Sequence, residues 1–198
     1  MELKHLTDAK NGAAENFTTT RISTLLQKHL LAQRKVFLWG PVEDSSAKEI
    51  VEQLVYLADA RPDEPIHFFI NSPGGVVTSG YAIYDIITSI DTPVYTYCIG
   101  YAASMGSILL SGGAKGHRYI YPLAEVMIHQ PGMGGFRGGA AEIEIQAKQI
   151  RKAKEIAARI LAENCGHTVD KIKHDFDRDR WMDAEESVAY GIVDKILD

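Results

Sequence analysis

From Thr92 to Ala114 the chain carries no charged side chain. A run of this length is either a membrane span or a segment buried on all sides, and that choice restricts the fold more than any other stretch does. Gly100, Gly106, Gly112 and Gly113 interrupt the run, and Ser and Thr residues punctuate it. Such a composition suits a buried strand turning into a buried helix rather than a continuous lipid-facing helix. The expectation is a strand over Val94 to Ile99 and a helix beginning just after Ser104, both inside a core.

The preceding segments place a sheet around that core. Val36 to Leu38 and Ile66 to Ile70 read as strands. Apolar residues at helical spacing follow each of them: Ile50, Leu54 and Leu57 after the first, Tyr81, Tyr84 and Ile87 after the second. Ser45 and Ser46 are the N-cap candidates of the first of these helices, and Ile22, Leu25, Leu26 and Leu30 mark an earlier one. Strands alternating with helices in this way require right-handed crossovers and a mostly parallel sheet, so the fold class is α/β.

Beyond Ala114 the alternation breaks. Tyr119 to Tyr121 and Val126 to Ile128 read as short strands, and Gly132 to Gly139 as a glycine-rich turn. A helix over about 140–164 would extend roughly 37 Å, longer than a core of this size needs, and its isoleucines at 143, 150 and 160 give it one apolar edge. It is expected to project and to serve assembly. Residues 1–25 are polar with few apolar anchors and read as a mobile arm; residues 26–198 read as one domain.

Charge and cysteine usage narrow the function. The net charge is −5 with acids and bases interspersed, whereas nucleic-acid binding needs a concentrated basic surface. The nearest basic run, Arg151 to Lys154, lies beside acids in a helical pattern and reads as a solvated face. Cys98 and Cys165 show neither CxxC nor metal-ligand spacing, so no disulfide, metal or cofactor is expected. With no secretory signal pattern at its start, the chain is expected in the cytoplasm, or in an organelle if a transit peptide has been removed.

The chemistry-bearing residues begin with Gly100-Tyr-Ala-Ala-Ser104-Met-Gly106. A nucleophile on a sharp strand-to-helix turn needs small neighbours two before and two after, here Ala102 and Gly106, and the helix start beyond supplies N–H groups for a developing oxyanion. Ser104 as a mere helix cap accounts for the same segment equally well. A base is needed to activate it. His129 ends the apolar strand and precedes Gln130-Pro131, a position held rigidly yet accessibly, although a single histidine at a strand end is more often structural. By contrast His5 and His29 lie in the arm and first helix, His67 alternates within a strand, and His117, His167 and His174 sit among charged residues and read as exposed. The third member is a carboxylate that fixes the imidazole. Asp179 is the candidate, but composition does not separate it from Asp175, Asp177 or Asp183, and the whole cluster also reads as a surface ion-pair patch. The order Ser, His, Asp excludes an α/β-hydrolase, whose histidine comes last.

Four segments together, Asn71-Ser-Pro-Gly-Gly75, Gly100-Tyr-Ala-Ala-Ser-Met-Gly106, Met127-Ile-His-Gln-Pro131 and Arg178-Asp-Arg180, resemble the ClpP family, the proteolytic subunits of the Clp protease. The resemblance runs from about Leu30 to Leu197. It implies a crotonase-like fold of repeated β-β-α units with the long helix as a projecting handle, and assembly into two stacked heptameric rings enclosing a chamber. It implies Ser104 as nucleophile, His129 as base and Asp179 as acid, with the Gly75 and Met105 amides as oxyanion hole. Substrate would lie extended beside Gly75, Val76 and the Gly132-Met133 segment. Unfolded polypeptide would be fed in by an AAA+ unfoldase of the Clp type, which alone would use ATP, since this chain has no phosphate-binding loop; a paralogous subunit could share the ring. Arg178, next to Asp179, would couple ring contacts to the acid. The chain departs from the family in its first twenty-five residues, which lack the usual Arg-Gly-Glu and following aromatic, and in a Gln130-to-Gly135 turn one residue longer than the common form. Two other readings compete with a serine endopeptidase: a silent scaffold subunit of a mixed ring, and a crotonase-type acyl-CoA enzyme, which would not need the three side chains.

Overall fold

The computed structural model describes residues 24–132 and 138–197. The described residues fall into two units that divide after Lys35. Most of the arm expected over residues 1–25 lies outside the described residues, as do residues 133–137 of the glycine-rich turn expected over Gly132 to Gly139. In the first unit residues 24–32 are helical (α1), and the Gln33 amide N–H closes the end of that helix on the His29 and Leu30 carbonyls.

The second unit is built on a seven-stranded sheet. Its elements in chain order are β1 (Lys35–Trp39, whose first residue belongs to the first unit), α2 (Asp44–Ala60), β2 (Ile66–Ser72), α3 (Val77–Ser89), β3 (Val94–Ala103), α4 (Met105–Ser111), β4 (Arg118–Ile120), β5 (Glu125–Ile128), α5 (Ala140–Cys165), α6 (Val169–Asp175), β6 (Arg180–Met182), α7 (Ala184–Tyr190) and β7 (Lys195–Ile196). The order across the sheet is β1-β2-β3-β4-β7, with β5 beside β3 and β6 beside β5. β3 runs parallel to β2, β4 and β5. One exception to the expected mostly parallel sheet is the antiparallel β5–β6 pair.

The uncharged run fills the centre. β3 alternates buried and half-buried residues over Val94–Ile99, and every residue of α4 is buried. A strand with neighbours on both sides and a helix covered on all faces can carry no charge, which explains the composition. β3 is longer than the predicted Val94–Ile99 because it bends: Ile70 pairs with Cys98 but Ser72 with Ala102, so extra β3 residues bulge opposite Asn71. Such a bulge re-aims the strand end, here toward Ser104.

α2 buries Ile50, Leu54 and Leu57 as predicted, but its N-cap is Glu43, not Ser45 or Ser46. Ser46 serves from the third helical position, where its Oγ accepts the Glu43 N–H at 3.0 Å. The buried stripe of α3 is Ser79, Gly80, Ile83 and Ile87, with Tyr81 and Tyr84 half-buried beside it; Gly80 is needed because a Cβ there would strike the Met105 side chain. On one face of the sheet the rings of Phe37, Phe69, Tyr97 and Tyr119 stack across four strands at 5.0, 4.5 and 5.0 Å. Burial, then the neighbouring tyrosines, pushes the Tyr97 hydroxyl up to about 12.

α5 has 26 residues, about 39 Å at the helical rise. Its buried residues, Ala157, Ala158, Leu161 and Ala162, all lie in its C-terminal half, while Ile143 and Ile145 are exposed. The N-terminal half therefore stands clear of the core of its own unit, as expected for a projecting helix.

One ion pair ties the C-terminus to the sheet. Arg118, 3% exposed, donates to Asp194 through Nη2 at 2.6 Å, Nε at 3.0 Å and its backbone N–H at 2.9 Å, and to the Asn164 carbonyl at 2.9 Å. Burial alone would raise the Asp194 carboxyl, but these bonds and the guanidinium charge outweigh it and hold it below its ordinary value. Asp194→Asn leaves Arg118 buried without a counter-charge and is expected to cost about 3 kcal/mol of stability. A carboxylate with a depressed folded pKa contributes its stability above the unfolded value and loses it as pH falls through the folded one. The melting-temperature gap between wild type and variant should hold at neutral pH and close below about pH 4.

Candidate active site

Ser104 occupies the single residue between β3 and α4, with φ 55° and ψ −120°. A side chain rarely tolerates a positive φ, and the cost is of order 1–3 kcal/mol, held by the surroundings. The hold is visible. The Ser104 N–H donates to the Met127 carbonyl at 2.9 Å, and its own carbonyl accepts from the N–H groups of Ser107 and Ile108 at 3.1 and 3.4 Å. Ala102 and Ala103 are buried on the strand side, and a Cβ on Gly106 would come within 3.2 Å of the Ser72 carbonyl. The small neighbours recognised in the sequence are thus closely packed at the bend.

Met127 lies in β5, so the same bond delivers His129 to the turn, one residue past the strand end. Ser104 Oγ and His129 Nε2 are 2.8 Å apart, and His129 Nδ1 and Asp179 Oδ1 are 3.0 Å apart. An ionised carboxylate only accepts, so Nδ1 carries the proton and Nε2 is left to accept from the serine hydroxyl. Asp179 reaches this position because it immediately precedes β6, whose Arg180 pairs with Ile128.

The other acids of the cluster have different partners. Asp175 is bound by Lys171, by the Tyr190 hydroxyl at 2.9 Å and by Arg180 at 3.3 Å. Burial would raise its carboxyl, and these partners more than reverse that. Asp177 receives Gln130 Nε2 at 3.1 Å, and Asp183 caps α7 by accepting the Glu186 N–H at 2.8 Å. The histidines separate likewise. His67 meets the Tyr97 hydroxyl at 2.8 Å, and His117 meets that of Tyr119 at 3.0 Å while stacking on Tyr95 at 3.9 Å. Neither His117 nor His167 is exposed as predicted: both are half-buried, His167 packed against Tyr190 at 4.6 Å. Their positions next to charged residues concealed their place in aromatic layers.

Facing the serine is the turn after β2. Gly74 and Gly75 have φ 86° and 151°. A Cβ on Gly74 would sit 2.6 Å from Ser104 Cβ and 2.7 Å from the Met105 nitrogen, and one on Gly75 would sit 2.2 Å from the Val42 carbonyl oxygen. Only glycine permits this approach. Val42 bonds the Gly74 carbonyl and the Val76 N–H, both at 2.8 Å, which turns the Gly75 N–H away from Val42. Met105 is the first residue of α4, where an amide has no partner within the helix.

A cavity of about 640 Å³ adjoins this turn, lined among others by Gly75, Val76, Tyr81, Gly132, Ala153 and Ile156. Val76, expected beside the substrate, is therefore on its wall; Met133 lies outside the described residues. No cluster of metal-ligating side chains occurs among the described residues, and none of their helices is long and apolar enough to cross a membrane. Burial pushes the Cys98 thiol up to about 12 and the Cys165 thiol to about 11, the latter against the pull of Arg118 and Lys115; neither is a nucleophile at neutral pH.

With this geometry, the Clp protease family model matches residues 18–198. The chain belongs to the Clp protease family. Membership makes it a Clp-type peptidase and accounts for the α/β architecture, including the long α5. The match begins ahead of the helix at residues 24–32 and so takes in sequence that by itself resembled the family only from about Leu30.

The strain at Ser104 is testable apart from any activity. Glycine accepts a positive φ freely, so Ser104→Gly should be more stable than Ser104→Ala by about 1 kcal/mol, the reverse of the usual order. Paired denaturant titrations measure the difference, and equal midpoints would mean that the turn relaxes.

Proposed function

We propose that this peptidase is a serine endopeptidase in which Ser104 is the nucleophile, His129 the general base and Asp179 the acid that orients it. The observation that carries the reading is the continuous contact at 2.8 and 3.0 Å from Ser104 through His129 to Asp179. Ser104 Oγ attacks the peptide carbonyl as its proton passes to His129 Nε2. Asp179 holds the imidazole in the accepting tautomer and stabilises the imidazolium. The oxyanion is met by the N–H groups of Gly75 and Met105. His129 then returns the proton to the leaving amine, and a water activated by the same imidazole hydrolyses the acyl-enzyme. Substrate lies extended along Gly75–Val76 and the Gly132–Met133 segment, pairing as an added strand.

In this reading two heptameric rings enclose the sites, interlocked through the N-terminal half of α5, whose exposed Ile143 and Ile145 supply the apolar contact. Arg178, 94% exposed and 3.9 Å from Asp177, is accessible to answer ring contacts beside Asp179. A Clp-type AAA+ unfoldase delivers unfolded polypeptide and consumes the ATP; no cofactor is used by this chain. The aromatic sheet face, edged by exposed Phe37, Trp39 and Tyr121, is suited to an apolar segment of that partner.

The test is the intact mass of the chain after a fluorophosphonate, beside Ser104→Ala. One adduct on wild type and none on the variant is expected, together with loss of peptidase activity in the variant. Full activity in Ser104→Ala would sink the triad. An acyl-CoA enzyme or a silent scaffold would take no adduct.

A further inference from the structure

Asp179 is an odd residue on which to rest a catalytic histidine, because its side chain is 64% exposed. Packing does not hold it, so its position is set by the backbone of the segment 175–180. That segment is an arc fastened on both sides of His129. On one side Arg180 pairs with Ile128. On the other the start of the arc is held by the buried Phe176 and by the partners of Asp175. The stretch from Phe176 to Asp177 that leads to Asp179 is bonded by one residue next to the histidine, Gln130. Its backbone N–H donates to the Phe176 carbonyl at 2.7 Å, and its Nε2 donates to the Asp177 carbonyl at 2.8 Å and to Asp177 Oδ1 at 3.1 Å. Its Oε1 accepts from Lys154 Nζ at 2.7 Å. Lys154 belongs to α5, lies 3.9 Å from Asp177 and sits 5.8 Å above the ring of Phe176, which is fully buried.

We infer that Gln130 and Lys154 form a positioning strut, by which α5 fixes the arc carrying Asp179 and hence the alignment of His129. The inference rests on the triad reading above and adds to it a route from α5 to the acid. Both ends of the Gln130 amide are used, one toward α5 and one toward the arc, so the strut fails if either partner is lost. It also has a chemical polarity. The ammonium drawing on Oε1 polarises the amide and strengthens the donation from Nε2 to Asp177. Ala153 and Ile156, on either side of Lys154 in α5, line the cavity beside Gly75. One helix thus borders the substrate and braces the acid.

The experiment is steady-state peptide hydrolysis by the full chain as Gln130→Ala, Lys154→Met, the double variant and Lys154→Arg, with Ser104→Ala as control. Each of the first two should lower kcat about tenfold while leaving KM within about twofold, because a misaligned base impairs the chemical step and not binding. In the double variant the losses should not multiply, since the second change removes a strut already broken. Lys154→Arg keeps a cationic donor and should stay within about twofold of wild type. Wild-type kcat in either single variant, multiplied losses in the double, or an arginine variant as impaired as the methionine one would each overturn the strut. Should Gln130→Ala not fold, Lys154→Met and Lys154→Arg carry the test, the lysine being a part-exposed helix residue. Activity surviving in Ser104→Ala would reject the triad itself, whereas an inactive Ser104→Ala beside wild-type strut variants rejects the strut alone.

Discussion

The hydrogen bond from the Ser104 N–H to the Met127 carbonyl joins the end of β3 to β5 at the point where β3 gives way to α4. It fixes a backbone conformation that serine would not otherwise keep, and it fixes what lies next along β5. Two residues beyond Met127 comes His129, so the bond that strains the serine also brings its partner to 2.8 Å. The pairing of β5 with β6 then carries the register onward, and Asp179 arrives beside the imidazole. Three residues from three parts of the chain meet because one sheet spaces them.

This arrangement depends on glycine and alanine more than on polar residues. Gly74 and Gly75 bring the backbone of one turn against Ser104 and Val42, where any Cβ would collide. Gly80 admits the Met105 side chain, and Gly106 sits against Ser72. Small residues remove the steric barrier to close approach, and the burial of α4 on all faces supplies the free energy that holds the approach in place. The polar groups are few and exposed by comparison, Asp179 most of all, which is why the backbone fastening around His129 matters for their alignment.

Much of the local structure was legible because it follows from patterning. The charge-free run from Thr92 to Ala114 announced a buried strand and helix, and the apolar stripe of α2 and the span of α5 followed from helical spacing. The misses have identifiable causes. Glu43 displaced Ser45 and Ser46 as the α2 cap because Ser46, at the third helical position, reaches back to accept the Glu43 N–H in a capping box. His117 and His167 read as exposed from their neighbours, whereas aromatic rings from other strands and helices cover them. The antiparallel β5–β6 pair gave no sign of itself, since Arg180 and Trp181 carry no alternation that fixes strand direction.

The sequence by itself determined that the chain is α/β, that Ser104 stands on a tight turn between a buried strand and a buried helix, and that four short segments in order belong to one family of peptidases. These depend on periodicity, on residue size and on motif order, all of which are local. Which of four aspartates faces His129, which histidine faces Ser104, and that Gln130 links the segment before Asp179 to α5 were decided only in the tertiary structure. Those are distances between residues tens of positions apart, and they are set by sheet register and by a bulge whose cost is met by the packing of the whole core.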